Sequence, residues 1–121
     1  MVMLDTNAIL RLVLKDNAEM EKVVKNTLIK QLCFIPIEVV AEAIYVLTKV
    51  YKLERLLIAT TLKDFFEISN VYVFKKEIVY SALNLFANSN LDFVDCLLVS
   101  YSKIENYDVL TFDKELKKYL K

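Results

Sequence analysis

The amino-acid sequence predicts an α/β fold in layers, with helices packed on a mostly parallel sheet. Short apolar segments of strand length alternate with longer segments whose apolar residues recur at helical spacing, which is typical of parallel α/β folds. The composition agrees, because 56% of the 121 residues are hydrophobic and 26% are charged, as in globular proteins. No linker interrupts the chain, so we expect one domain over residues 1–121.

The first strand is predicted over residues 2–4, which form a short apolar run. Asp5 and its two polar successors are helix-capping residue types, and they precede a helix predicted over residues 8–14. Asn17 is a suitable cap for a second helix over residues 17–31, in which apolar residues form one stripe.

The second strand is predicted over residues 32–35, another short apolar run. Pro36, the only proline, fits the first turn of the following helix, where its missing N–H is harmless. That helix is predicted to continue to residue 51, and another helix is predicted over residues 53–68.

A third strand is predicted over residues 71–74, which are β-branched and aromatic. Apolar periodicity predicts a helix over residues 77–88, and a polar break separates it from a helix over residues 92–105. Residues 108–111 are predicted to form a fourth strand, and residues 114–120 a final helix.

The chain contains no glycine and no histidine, whereas about eight glycines are expected at an average usage of roughly 7%. These two absences exclude several chemistries. Glycine-rich phosphate loops cannot be formed, and a histidine base or histidine metal ligand is excluded. Helix ends must place asparagine, lysine or water where glycine usually stands. The asparagines at such junctions are Asn17, Asn70, Asn90 and Asn106.

The two cysteines, Cys33 and Cys96, are too few for a disulfide scaffold. The sequence has no signal peptide pattern and no apolar run long enough to cross a membrane. We therefore expect a cytoplasmic protein with reduced thiols.

Acidic residues lie at positions where carboxylates are costly or where α/β folds bind ligands. Asp5 and Asp113 each follow a predicted strand, and both are also suitable helix caps. Glu42 lies in a strongly apolar helix, so it is expected to be buried, with an exposed edge beside Glu38 as the alternative. Asp95 has a more apolar setting than a second acid at the same helix start, Asp92. Carboxylates without imidazole suit hard cations such as Mg²⁺ or Mn²⁺.

Four short motifs together resemble those of PIN-domain nucleases, and most closely the VapC-type toxins of toxin–antitoxin pairs. They are LDTN at 4–7, VVAE at 39–42, LDFVDCLL at 91–98 and LTFD at 110–113. The resemblance covers essentially the whole chain. It implies a three-layer α/β/α PIN-like domain whose short, mostly parallel central sheet has four or five strands.

The same resemblance implies a site. The family's catalytic, metal-binding acids correspond to Asp5, Glu42, Asp95 and Asp113, and Asp92 has an acidic counterpart in some members only. Asn7 and Thr111 correspond to polar residues that support the first and last acids.

The implied activity is Mg²⁺- or Mn²⁺-dependent hydrolysis of RNA phosphodiester bonds by an endoribonuclease, the toxin of a type II toxin–antitoxin system. The implied partners are RNA, a cognate antitoxin protein and a second copy in a homodimer. Apolar helix surface also suggests an interface, with Tyr45, Tyr51, Phe65 and Phe66 as candidate contacts.

The formal net charge is zero, from 16 basic and 16 acidic residues. Neutralising four metal ligands would leave 12 acidic against 16 basic side chains, a charge of +4. The candidates for phosphate contact are Arg11, Lys15, Lys49, Lys52, Arg55, Lys114, Lys117, Lys118 and Lys121.

Three alternative functions compete with this one, and the sequence gives an argument against each. A catalytically silent PIN-like module would bind RNA or a protein without cutting, although all four acids are intact. A phosphotransfer enzyme of the haloacid-dehalogenase kind needs an acid where Asn7 stands. A receiver-like domain needs an acceptor aspartate after a central strand, where Lys75 and Lys76 stand.

Overall fold

The computed structural model describes residues 1–120, in which three strands and seven helices alternate as an α/β fold. Lys121, one of the candidate phosphate contacts, lies outside the described residues. The elements are β1 (Val2–Met3), α1 (Thr6–Leu14), α2 (Ala18–Lys30), β2 (Cys33–Ile35), α3 (Ile37–Lys49), α4 (Arg55–Phe66), β3 (Val71–Val73), α5 (Lys76–Ala87), α6 (Phe93–Glu105) and α7 (Lys114–Lys117).

The three strands form one parallel sheet in the order β1-β2-β3. Val2 pairs with Cys33, and Cys33 pairs with Val71, so the strands run almost level with one another. Because the strands are parallel, their carboxyl ends share one edge of the sheet, where ligands bind in open α/β folds. Asp5 lies two residues beyond β1 at this edge.

The strand predicted over residues 108–111 is wrong. Residues 106–113 have no regular secondary structure, and among the described residues the sheet has three strands rather than four or five. Leu110 and Phe112 are each 88% exposed, whereas Val109 and Thr111 are half-buried. The alternating pattern is strand-like, but a strand also needs a hydrogen-bonded neighbour, and none of the described strands pairs with this segment.

Lysines take most of the left-handed backbone positions in this glycine-free chain. Lys15, Lys52, Lys75 and Asn106 have φ between 49° and 62°. Of the asparagines expected at such positions, only Asn106 adopts this conformation. Asn17 instead caps α2 from an extended conformation, and its side chain accepts a hydrogen bond from the Met20 N–H at 3.0 Å.

The core lies between the sheet and the helices that pack on it. The helix α3 contributes the buried residues Val40, Ala43, Ile44 and Leu47. Phe65 and Phe66 are also buried, so the expectation that they contact a partner is wrong, whereas Tyr45 and Tyr51 are exposed. No helix among residues 1–120 is both long enough and apolar enough to cross a membrane.

Both cysteines are free thiols buried in the core. Burial raises the pKa of Cys33 above its usual value and raises that of Cys96 to about 11. Both side chains are therefore protonated at neutral pH, and they act as small apolar residues.

Candidate functional site

Asp5 and Asp113 each cap the helix that follows them. The Asp5 Oδ1 accepts a hydrogen bond from the Ala8 N–H at 2.9 Å. The Asp113 Oδ1 accepts from the N–H groups of Glu115 and Leu116, at 2.8 and 3.0 Å. Within residues 1–120 no donor reaches the Oδ2 of either carboxylate, and both side chains are exposed. Each aspartate is thus held in place through one oxygen, while the other can bind a ligand.

Glu42 is joined to the first motif by a hydrogen bond. The Thr6 hydroxyl donates to the Glu42 Oε1 at 2.7 Å and so connects α3 to the start of α1, directly after Asp5. Glu42 is exposed, as is Glu38, so the predicted burial is wrong and the exposed-edge alternative is correct. Thr6 was not predicted as a functional residue, although it lies inside the LDTN motif.

Asp95 is the half-buried acid of the group, in the first turn of α6. Burial is the main factor that raises its pKa above the usual aspartate range, and repulsion from Asp113 and Asp92 raises it further. Asp113, the last of the four motif acids, therefore lies close enough to α6 to affect Asp95. A cation at this point would relieve the repulsion.

Asp92 occupies the N-cap position of α6, but its side chain makes no capping hydrogen bond. In this it differs from Asp5 and Asp113. It is exposed, whereas Asp95 is half-buried, which confirms the predicted difference between the two acids.

The two supporting residues differ in their contacts. The Thr111 hydroxyl accepts a hydrogen bond from the Asp113 N–H at 3.1 Å and so helps to fix the cap residue of α7. Asn7 is exposed in the first turn of α1, and no described residue hydrogen-bonds to its side chain.

A cavity of about 230 Å³ opens beside these acids, between α3 and α6. Asp92 and Asp95 are part of its wall, and so are Ala41 and Tyr45, which lie on either side of Glu42 along α3. The remaining lining residues are Ile44, Thr48, Lys49, Arg55, Phe86, Phe93 and Val94.

Arg55 supports the segment before Asp92. Its Nη1 donates to the carbonyl oxygens of Phe86 and Leu91, at 3.0 and 2.7 Å, and its guanidinium lies 4.2 Å from the centre of the Phe86 ring. The end of α5 and the residue before Asp92 are thus held together. Arg11 also has an internal partner, because its Nη1 lies 2.7 Å from the Asp16 carboxylate. Both arginines were predicted to contact phosphate, and the structure instead shows each of them bonded to other parts of the protein.

The predicted ligands are not preassembled. In the described part of the chain, no three acidic or thiol side chains lie close enough together to hold a metal ion. The donor set nevertheless consists of carboxylate oxygens, which suit a hard divalent cation. The acids suit such an ion because their oxygens are the right donors and because a cation would offset the repulsion around Asp95. To bind the ion together, their side chains would have to move closer to one another.

Comparison with known proteins gives one match. The model of the family described as PIN domain matches residues 2–121, a range that contains all four motifs. No curated protein and no solved structure matches the chain.

Proposed function

Because the chain belongs to the PIN-domain family, whose members are generally nucleases, we propose that it is a metal-dependent endoribonuclease that hydrolyses RNA phosphodiester bonds. The choice of RNA over DNA, and a role as the toxin of a type II toxin–antitoxin system, rest on the resemblance of the four motifs to VapC-type toxins. The observation that carries the proposal is the electrostatic proximity of Asp113, from the last motif, to Asp92 and Asp95, from the third motif.

In this proposal Asp5, Glu42, Asp95 and Asp113 hold Mg²⁺ or Mn²⁺. A bound divalent ion activates water and offsets the charge that develops on the phosphate. Asp5 and Asp113 contribute the oxygens left over from capping, and Thr6 orients Glu42. Thr111 supports Asp113 through the hydrogen bond that it accepts from the Asp113 N–H, and the resemblance assigns Asn7 to the support of Asp5.

Basic residues near the acids suit a polyanionic substrate. Lys114 and Lys117 lie on α7, directly after Asp113, and both are exposed. Lys49 and Lys52 are exposed at the end of α3. Backbone phosphates would contact these lysines, so binding should weaken as the salt concentration rises.

The proposed protein partners are an antitoxin and a second copy of the chain. Exposed apolar side chains are concentrated at the end of α3 and the start of α4, as expected of an interface. They are Tyr45, Val50, Tyr51, Leu56 and Leu57. The two reduced, buried thiols support a cytoplasmic location.

The test is an RNA cleavage assay with Mg²⁺ or Mn²⁺ and with EDTA. We expect cleavage by the wild type and loss of cleavage in EDTA. We expect at least about a hundredfold loss on Asp95→Asn or Asp5→Asn, because changing even a residue that only supports a metal ligand typically costs about 10–100-fold. Asp64→Asn, which alters an exposed aspartate of α4 outside the site, is the matched control.

Two results would contradict the proposal. Cleavage that persists in EDTA, or in the Asp95→Asn protein, excludes the metal mechanism. Binding of RNA or of a partner without any cleavage favours the alternative, a catalytically silent PIN-like module.

A further inference from the structure

We propose that the cavity between α3 and α6 is a base pocket: it takes one nucleobase of the RNA, next to the phosphate at the carboxylates, and selects bases that carry an amino group. The proposal deepens the proposed function and rests on it. It assigns Asp92 to substrate selection rather than to the metal.

The cavity suits one flat ring by size and lining. Its volume of about 230 Å³ is below the range of roughly 300–1,000 Å³ that is usual for drug-sized ligands. Ala41 and Ile44 of α3, together with Phe93 and Val94 of α6, give it apolar walls. Tyr45 is 62% exposed and also lines the cavity, so its ring is available at the rim for a base to stack on.

The position of the cavity relates it to the cleavage chemistry. Asp95 is both a proposed metal ligand and a lining residue, and Glu42 lies between two other lining residues. In the proposed complex, a phosphate held beside Asp95 would place the adjoining base at the cavity, because Asp95 is part of the cavity wall. Lys49 lies one helical turn beyond Tyr45 on α3, away from Glu42, and is placed to meet the next phosphate of the strand.

The polar groups of the cavity favour an amino-bearing base. Asp92 makes no capping hydrogen bond, so its carboxylate oxygens are available as hydrogen-bond acceptors. The Thr48 hydroxyl already donates to the Ile44 carbonyl at 2.7 Å, so its oxygen remains as an acceptor. The Nη1 of Arg55 is committed to two backbone carbonyls. Its other N–H groups and the Lys49 ammonium can donate to ring carbonyls, so the selection for an amino group rests on Asp92.

Cytosine, adenine and guanine each carry an exocyclic amino group that can donate to such acceptors, as cytosine N4 does to aspartate in nucleic-acid complexes. Uracil carries carbonyl oxygens instead, and these would face the carboxylate. We therefore expect uracil to be rejected.

The first experiment compares cytidine with uridine, which differ at the amino-bearing position and in the neighbouring ring proton. Both nucleosides are titrated into the ¹⁵N-labelled wild-type protein and followed by NMR. We expect cytidine to shift the amide signals of Tyr45 and Val94. The affinity for cytidine should be at least about tenfold higher than that for uridine, because one hydrogen bond to a charged group changes affinity by about that factor. Equal affinities, or shifts confined to other parts of the protein, overturn the proposal.

The second experiment changes the selecting group. Asp92→Asn supplies an amide that both donates and accepts, so the preference for cytidine should fall to near equality. Tyr45→Ala should weaken both nucleosides, while Tyr72→Ala, which removes an exposed tyrosine of β3, should weaken neither. Unchanged selectivity in Asp92→Asn overturns the proposal.

The third experiment uses cleavage of RNAs that differ at one base beside the cut. The wild type should cut the RNA with uracil at that position at least about tenfold more slowly, and Asp92→Asn should reduce this difference. If Asp92→Asn instead abolishes cleavage of every RNA as Asp95→Asn does, Asp92 is a metal ligand and the proposal is overturned. If the wild type prefers cytidine but cuts no RNA, the pocket is supported and the nuclease function fails.

Discussion

Individual carboxylates in this molecule serve two different purposes, and their neighbours decide which. Asp5 and Asp113 stabilise helix starts, whereas Asp95 is held in a setting that disfavours its charge. The motifs single out these acids as a site, which stays a prediction, and the apolar residues around Asp95 correctly predicted that it is less solvated than Asp92. The burial predicted for Glu42 was wrong because α3 sorts its residues by face, with Val40, Ala43, Ile44 and Leu47 inward and Glu42 on the outer side.

Asp95→Asn should make the metal-free protein more stable at pH 7. The fold raises the pKa of Asp95, so the native state favours the protonated carboxyl, and stability is lost as the pH rises from the usual aspartate pKa through the raised value. An uncharged amide removes this penalty. Urea denaturation in EDTA should show a higher free energy of unfolding than for the wild type.

The advantage of the Asp95→Asn protein should shrink as the pH falls toward about 4, where aspartate is protonated in the unfolded chain. Asp5→Ala should act in the opposite direction and lower the free energy of unfolding by about 1 kcal/mol, because it removes a helix cap. If Asp95→Asn is also destabilising at pH 7, burial and repulsion do not disfavour the charged form of Asp95 as inferred.

Cys33 and Cys96 should resist a thiol reagent at pH 8 while the protein is folded. Both are buried, and the pKa of Cys96 is about 11, so the reactive thiolate is scarce. Two thiols should react with Ellman's reagent after denaturation in guanidinium. Rapid reaction of one thiol in the native protein would show that the core opens locally.

At the scale of the elements, periodicity and capping residues predicted all seven helices in their observed order, with ends within a few residues. The strands predicted over residues 2–4, 32–35 and 71–74 likewise end within one residue of β1, β2 and β3. The segment at residues 108–111 shows where such reasoning stops. Its alternation is correct for a strand, but pairing depends on distant residues that a local pattern does not contain.

Lys15→Gly should stabilise the protein by about 1 kcal/mol, because Lys15 ends α1 at φ 53°, a left-handed conformation that costs most residues roughly that much. The same change at Lys22, an exposed residue inside α2, should destabilise it by about 1 kcal/mol. Thermal denaturation of the two variants should give shifts of opposite sign. A loss of stability in both would mean that Lys15 makes contacts worth more than its backbone strain.

At the scale of the whole molecule, the formal charge of zero combines a basic surface with a group of carboxylates. The motifs mark Asp5, Glu42, Asp95 and Asp113 as members of that group, and this assignment stays a prediction. The sequence could not predict how far apart they lie, since this depends on the packing of α1, α3, α6 and α7 around the sheet.

Mg²⁺ or Mn²⁺ should raise the melting temperature of the wild type, and EDTA should reverse the change. A ligand that binds only the folded state at a hundred times its dissociation constant stabilises it by about 2.7 kcal/mol. The Asp95→Asn protein should show little response, whereas Asp64→Asn should respond as the wild type does. An equal response in all three proteins would indicate metal binding elsewhere on the surface.

The distribution of the acids along the chain has a consequence for synthesis. Asp5 is made 108 residues before Asp113 (113 − 5), and Asp113 caps a helix whose Leu116 is buried in the core. If the four acids act together as proposed, a growing chain on the ribosome has no complete site. The proposed nuclease would then be unable to cut the message being translated until the ribosome has passed the codon of Asp113 and α7 has folded.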